Sequence, residues 1–392
     1  MRSTVNPAPQ LQSRGESSGL RVPFLDLKAQ YAELAPELEA AAIDVLRSGS
    51  YVLGPNHNAL ELEIAELHGC KYAIGLNSGT DALRIMLDAA GVGRGDEVIT
   101  TAFTFVASAE TIVQAGATPV FVDIDPATYM IDPALIEAAI TPKTKAIMPI
   151  HLFGQLADAE TVQEIADRHG LIVLEDAAQA IAARRNGKLS GQFGLAAGFS
   201  FYVTKNLGAA GDAGMILTND PDFAERCRSI RIHGMGRERY YYDYVGYTSR
   251  LDEIQAAILR VKLKRLESWI QMRSRLADFY LWNLAGTAGL GLPALISGNE
   301  HTYHQFTIRA QRRDDLHAYL KANAIDSMIY YPVPLHFHKP YQHYASGPGS
   351  LPLTEQVCQE VLSLPVHEHM TMDQAAFVVE TIKKFYSNRF VE

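Results

Sequence analysis

The sequence predicts an α/β architecture, a sheet with helices on both faces followed by a second, smaller domain. Three observations predict it. The chain has 392 residues, more than one ordinary compact domain holds. Short apolar runs alternate with stretches of helical periodicity through its first two thirds. That alternation fades near Ser274, where helices and a Pro/His-rich stretch take over.

In chain order, residues 1–19 are rich in Ser, Pro, Gln and Gly, lack the apolar core of a signal peptide, and read as a flexible tail. Residues 22–27 form an entry segment. Residues 30–46 read as a helix stopped by Ser48-Gly49-Ser50, and residues 53–68 as another. Strand-like runs follow at 72–75, 97–100, 118–122, 146–150 and 171–174, with helical stretches between them. A further pair, 198–202 and 214–218, brackets a glycine-rich loop. Residues 251–269 read as one long amphipathic pattern with Leu251, Ile254, Ile258 and Leu266 on roughly one side, which fits core packing or a subunit contact. The large domain is therefore expected over 20–273 and the small one over 274–392, with a strand at 305–310 and the Pro/His-rich segment at 331–344. No internal repeat marks a solenoid.

Hydrophobic residues make up 47% and charged residues 20%, the balance of a soluble globular protein. A formal net charge of −9 argues against general attraction to nucleic acid or anionic lipid, although a local basic pocket can still hold a phosphate. No run approaches the roughly 20 apolar residues that span a bilayer. Cys70, Cys227 and Cys358 are too few and too scattered for a disulfide framework, which points to a reducing, cytoplasmic setting.

Three constellations can carry chemistry. Asn77-Ser78-Gly79-Thr80-Asp81 lies where a strand ends and a helix begins; its hydroxyls and free amides suit a phosphate, or Ser78 or Thr80 simply caps the helix. Glu175-Asp176 follows an apolar strand, so one carboxylate can reach a ligand crevice and hold a protonated ring nitrogen, or the pair can begin a helix. Lys205 follows a strand and precedes Gly208, Gly211 and Gly214. Held in a cleft, such a lysine loses proton affinity and becomes a nucleophile or base; a lysine taken at random is a solvated surface charge. The glycine spacing is not that of a dinucleotide fingerprint.

Taken in order, these segments resemble the DegT/DnrJ/EryC1/StrS sugar aminotransferases. The resemblance rests on Gly79-Thr80-Asp81-Ala82-Leu83, Gly95-Asp96-Glu97-Val98-Ile99, Thr104-Phe105-Val106-Ala107 and Pro119-Val120-Phe121-Val122-Asp123. It continues through Glu175-Asp176-Ala177-Ala178-Gln179, the run from Ser200-Phe201-Tyr202 through Lys205-Asn206-Leu207, and residues 249–257. It runs from about Val22 to the C-terminus.

The resemblance implies a fold type I transferase with a mixed, mostly parallel sheet and a smaller α/β C-terminal domain. It implies pyridoxal 5'-phosphate, alternating with its pyridoxamine form, as cofactor. Lys205 matches the Schiff-base lysine and proton shuttle; relatives with histidine there act as dehydratases. Asp176 matches the partner of the ring nitrogen, Gln179 a contact near the ring oxygen, and Phe105 the stacking aromatic. Gly79, Thr80 and Ser200 match the phosphate cup. Thr248 stands where the family often has an asparagine reaching the phosphate across a dimer interface, and Ile181 where many 3-keto-sugar enzymes have histidine.

A homodimer with shared active sites is implied, as is ping-pong transfer from L-glutamate to a nucleotide-linked keto sugar. Residues 249–255 look more like the 3-keto than the 4-keto enzymes. An aminocyclitol or another cyclic ketone is the alternative acceptor, and a regulatory protein that keeps the fold without turnover is an alternative of another class. Residues 228–244, with Arg231, Arg237 and Arg239 among tyrosines, suit a nucleotide diphosphate or a solvated loop with interface aromatics. Tyr331 and His336 are further substrate candidates. No metal is expected, because no carboxylate or cysteine pattern accompanies His336, His338 and His343.

Overall fold

A computed structural model describes residues 20–387, so the expected tail at 1–19 lies outside the described residues. The chain opens with α1 (Leu27–Ser48) and α2 (Pro55–His68), then β1 (Tyr72–Leu76), α3 (Gly79–Ala89), β2 (Glu97–Thr101), α4 (Ala107–Gln114) and β3 (Thr118–Val122). Next come the short α5 (Ile136–Ala139), β4 (Thr144–Ile147), α6 (Ala159–His169), β5 (Ile172–Asp176), and the two-residue strands β6 (Arg184–Arg185) and β7 (Lys188–Leu189). The chain continues with β8 (Ala196–Ser200), β9 (Gly214–Thr218), α7 (Pro221–Ile230), α8 (Glu253–Leu263) and α9 (Leu266–Leu284). After β10 (Leu290–Gly291) and β11 (Asn299–Glu300), the C-terminal region holds β12 (Phe306–Ala310), α10 (Arg313–Ala322), α11 (Pro352–Glu360), β13 (Val361–Leu364) and α12 (Met372–Ser387).

Seven strands form the main sheet in the order β1-β9-β8-β5-β4-β2-β3. The pairs from β8 through β3 are parallel, and β9 alone runs against its neighbours β1 and β8. This is the expected mixed, mostly parallel sheet. One face packs α3 and α7 through Leu83, Met86, Phe223 and Cys227; the other packs α2 and α8 through Leu60, Ile64, Ala256 and Leu259. Both sides of the central strands are thus dry, which is why their sequences are continuous apolar runs. Among the described residues no helix is long and apolar enough to cross a membrane.

Three elements depart from the sequence expectation. The run read as a strand over 146–150 pairs only over Thr144–Ile147, because Pro149 has no amide to donate; Ile150 returns as an isolated bridge to Asp176. The strand expected over 198–202 spans Ala196–Ser200, since the chain turns at Tyr202, whose carbonyl accepts from the Lys205 amide at 2.8 Å. The single amphipathic pattern over 251–269 is two helices, parted at Lys264 and Arg265, where the Arg265 amide closes a tight turn on the Lys262 carbonyl at 2.9 Å. Apolar spacing carries across such a break unchanged, so periodicity does not reveal it.

The C-terminal sheet, β10-β12-β13, is antiparallel and packs on α9, α10 and α12. Helix α9 runs continuously through position 273, and its Leu276, Ala277, Tyr280 and Leu284 lie in the C-terminal core. The entry segment joins that core too: Val22 is fully buried and pairs with Ile325. Buried Arg273 binds Glu368 at 2.8 Å, and Glu368 accepts from Gln30 of α1 at 2.7 Å, so the first helix is fastened to the C-terminal region.

Candidate active site

The parallel strands deliver their carboxyl ends to one crevice, the usual ligand position in an open α/β sheet. A cavity of about 630 Å³ lies there. It is walled by the first turn of α3, the loop before α4, the ends of β5 and β8, and the segments 304–305 and 329–331.

Asp176 ends β5 and is buried. Burial raises its carboxyl above the ordinary range, against the pull of a 2.7 Å hydrogen bond from the Ser108 hydroxyl, the Ala178 amide at 3.1 Å and the nearby Lys205. Lys205 lies five residues beyond β8, past the turn at Tyr202. Burial lowers its ammonium to about 8, partly opposed by Asp176. A carboxylate and a half-desolvated lysine therefore face one cavity, and each holds the other nearer its charged form.

The neighbouring Glu175 points the other way, into the protein. Burial alone would raise it, but hydrogen bonds from His151 and from the Gly191 and Gly194 amides hold it below the ordinary range. Glu175 fixes the loop behind the site and orients His151, which also lines the cavity.

The anion end is built by α3. Ser78 caps it by accepting from the Asp81 amide at 3.1 Å, so the capping expectation holds. The amides of Gly79 and Thr80, in the first turn, lack intrahelical partners, and both residues line the cavity together with Ser200. Two glycines permit this closeness. A Cβ on Gly79 would stand 2.6 Å from Ser200 Cβ, and one on Gly214 would stand 2.2 Å from the Ser78 carbonyl oxygen. Phe105 lines the cavity and is 54% exposed, with the Tyr331 ring tilted beside it at 6.4 Å.

The residues present fit pyridoxal phosphate. Free helix amides with the hydroxyls of Thr80 and Ser200 can hold a dianion, Phe105 offers a flat apolar surface, Asp176 can pair with a protonated ring nitrogen, and Lys205 is a partly desolvated amine.

Gly79, Thr80, Phe105, Asp176, Gln179, Ser200, Lys205 and Tyr331 line this one cavity. Gln179 has both polar atoms engaged, accepting from the Phe153 amide at 2.8 Å and donating to the Tyr331 hydroxyl at 3.1 Å. Four candidates do not reach it within this chain. Thr248 is exposed and bonded to His233 at 2.9 Å, and Arg237 and Arg239 are exposed on the same loop. His336 is buried and bonded to Glu355 at 3.1 Å. Sequence reasoning passed over Ser108, His151, Tyr202, His304, Gln305 and Tyr330, which also line the cavity. Tyr202 stood inside a recognised motif; the others carry no local signal, because only the tertiary fold brings them in.

The DegT/DnrJ/EryC1/StrS aminotransferase family profile matches residues 33–383. The chain is 51% identical over 369 residues to the "Pleiotropic regulatory protein" of Geobacillus stearothermophilus, covering 94% of this chain and 99% of that one. It is 46% identical over 375 residues to the dTDP-3-amino-3,4,6-trideoxy-alpha-D-glucose transaminase of Streptomyces venezuelae, covering 96% and 98%. The crystal structure of S. venezuelae DesV in complex with a ketimine intermediate superposes with a TM-score of 0.91 at 46% identity, covering 93% of this chain and 98% of that one.

Proposed function

The chain belongs to the DegT/DnrJ/EryC1/StrS aminotransferase family and is a pyridoxal-phosphate-dependent transaminase, and we propose that it moves an amino group from L-glutamate to a nucleotide-linked keto sugar. The observation that carries the reading is that Lys205 and Asp176 line one cavity together with the exposed ring of Phe105 and the first turn of α3.

When bound, pyridoxal phosphate supplies the electron-withdrawing ring that takes up the electron pair left as the donor's C–H bond breaks. The chain's own residues do the rest. The amides of Gly79 and Thr80 and the hydroxyls of Thr80 and Ser200 bind the phosphate. Asp176, whose ionised form the Ser108 hydroxyl and the Ala178 amide favour against the effect of burial, would hold the ring nitrogen protonated. Phe105 covers the ring face and excludes water. Lys205 Nζ, with its proton affinity lowered to about 8, gives up and recovers a proton near neutral pH, which the transfer of hydrogen between substrate carbon and cofactor requires. Transfer runs in two halves, glutamate leaving as 2-oxoglutarate before the sugar enters.

A ketone at C3 is favoured by residues 249–255 and by the 3-amino sugar in the name of the Streptomyces relative. The functional unit is a homodimer. Thr248, Arg237 and Arg239, exposed and remote from their own cavity, then serve the partner's phosphate and nucleotide.

The test is direct. The holoenzyme should lose its visible absorption band on addition of L-glutamate, with release of 2-oxoglutarate, and regain it with a nucleotide-linked 3-keto sugar. Lys205→Ala should abolish both steps. Amination of a cyclitol ketone but of no nucleotide sugar would move the substrate assignment to the cyclic ketones. The relative named for regulation makes a second readout useful: a protein that binds cofactor yet turns over no amino donor would have kept the site for a regulatory task.

A further inference from the structure

The wall of the cavity formed by His304 and Gln305 holds hydrogen-bond acceptors that have no partner among the described residues. The Asn206 amide nitrogen donates to the Thr302 carbonyl at 2.9 Å, which sets the orientation of that amide, because a carbonyl can only accept. Asn206 Oδ1 is therefore turned toward His304 Nδ1, 3.2 Å away, and that ring nitrogen must carry the proton. The other nitrogen, Nε2, is left with a bare lone pair. His304 is only 6% exposed, it lines the cavity, and its Nε2 has no protein partner among the described residues. Burial, with the positive charges of Lys205 and Arg273 nearby, holds the ring well below the ordinary histidine value, so it stays neutral.

Gln305 borders the same cavity, and its buried Oε1 has no hydrogen-bond donor among the described residues. An acceptor left without a donor at the wall of a cavity is costly once water is excluded, unless a ligand supplies the hydrogen. The two substrates differ in this respect. The carboxylates of glutamate have no proton to offer and are repelled by a lone pair, whereas the carbons flanking a sugar ketone carry hydroxyl or amide N–H groups.

We propose that His304 is a substrate-reading residue whose Nε2 accepts a hydrogen bond from a hydroxyl or amide N–H beside the reacting carbon of the sugar. His304 serves the sugar half-reaction and not the glutamate half-reaction. This inference rests on the nucleotide-sugar reading above. Asn206, next in sequence to the Schiff-base lysine, then has a positioning role: it fixes the tautomer that leaves the lone pair toward the substrate.

Two substitutions separate the two ring nitrogens. His304→Asn keeps a donor for Asn206 and removes the acceptor; His304→Gln keeps an acceptor at the place of Nε2. Each holoenzyme is mixed with L-glutamate, or, in the reverse direction, with a dTDP-linked 3-amino sugar, and single half-reactions are followed by the cofactor's absorbance. In His304→Asn the sugar concentration for half-maximal rate should rise about tenfold, as for one lost neutral hydrogen bond, with the glutamate half-reaction within about twofold of wild type. His304→Gln should recover most of the loss. Equal losses in both half-reactions, or no recovery with glutamine, would overturn the assignment, as would ¹⁵N-histidine spectra of the wild-type holoenzyme with the His304 proton on Nε2. A wild-type enzyme that reacts with glutamate and with no nucleotide-linked sugar would instead overturn the proposed function itself.

Discussion

Ser108→Ala isolates what one hydroxyl does for the carboxylate at the centre of the site. Ser108 Oγ stands 2.7 Å from Asp176 Oδ2, is only 1% exposed, and is itself 3.1 Å from the Thr104 hydroxyl. A hydrogen bond to an ionised group contributes about 1.5–3 kcal/mol. At about 1.4 kcal/mol per factor of ten in proton affinity, its loss lets the carboxyl hold its proton roughly 10- to 100-fold more tightly. The direction is that in which burial already pushes Asp176. Asp176 must be ionised to keep the cofactor's ring nitrogen protonated, so the acid limb of kcat/KM for L-glutamate should move about one to two pH units higher. Cofactor affinity, read by equilibrium dialysis, should fall in parallel.

A double-mutant cycle tells this positioning role from general damage to α4. In an Asp176→Asn background, where no carboxylate remains to be stabilised, Ser108→Ala should change cofactor affinity by less than about threefold. Fully additive losses, or an acid limb that does not move in the single variant, would refute the reasoning.

Three further outcomes follow from the same geometry. Lys205→Met should stabilise the apoprotein below pH 8: the wild-type ammonium falls from its ordinary 10.5 to about 8, a penalty of about 3 kcal/mol, of which the loss of Asp176's neighbouring cation takes back a part. Because a lowered folded value withholds stability below it and restores it as pH rises toward 10.5, the variant's melting advantage at fixed protein concentration should shrink between pH 8 and 10.5; an advantage that grows would contradict the assignment. Gly79→Ala should weaken cofactor binding about tenfold or more with the far-ultraviolet dichroism unchanged, since the new methyl lies 2.6 Å from Ser200 Cβ; undiminished affinity would show that α3 and β8 can part without cost. Burial pushes the Cys70 thiol up to about 11 and those of Cys227 and Cys358 up to about 12, so a thiol reagent should modify none of the three rapidly in the native protein and all of them after denaturation.

Much of the architecture was legible because buried parallel strands announce themselves as apolar runs. The strands at Thr118–Val122 and Gly214–Thr218 have the ends the residues suggested. The break between α8 and α9 was not legible, because Leu251 and Leu266 are both buried and the stripe they define continues over the turn at Lys264–Arg265. The residues facing the proposed cofactor were legible for a related reason: each lies in a short contiguous motif at a strand end or helix start, where local geometry already restricts what the side chain can reach.

The substrate side is written differently. His304 owes its chemistry to Asn206, and Gln179 to Phe153 and Tyr331, partners 26 to 152 positions away in sequence, while Gln305 Oε1 has no donor among the described residues. A histidine at position 304 reads in the sequence as a packed ring or as a titrating one. Which nitrogen is bare is decided by the orientation of one asparagine amide across the fold. Cofactor chemistry, common to many amino acceptors, can therefore rest on short motifs, whereas the choice of acceptor depends on tautomers and unpaired lone pairs that exist only once distant segments meet. Substitutions that redirect this enzyme to another ketone should accordingly concentrate along 304–305 and 329–331 and leave Lys205, Asp176 and Gly79 untouched.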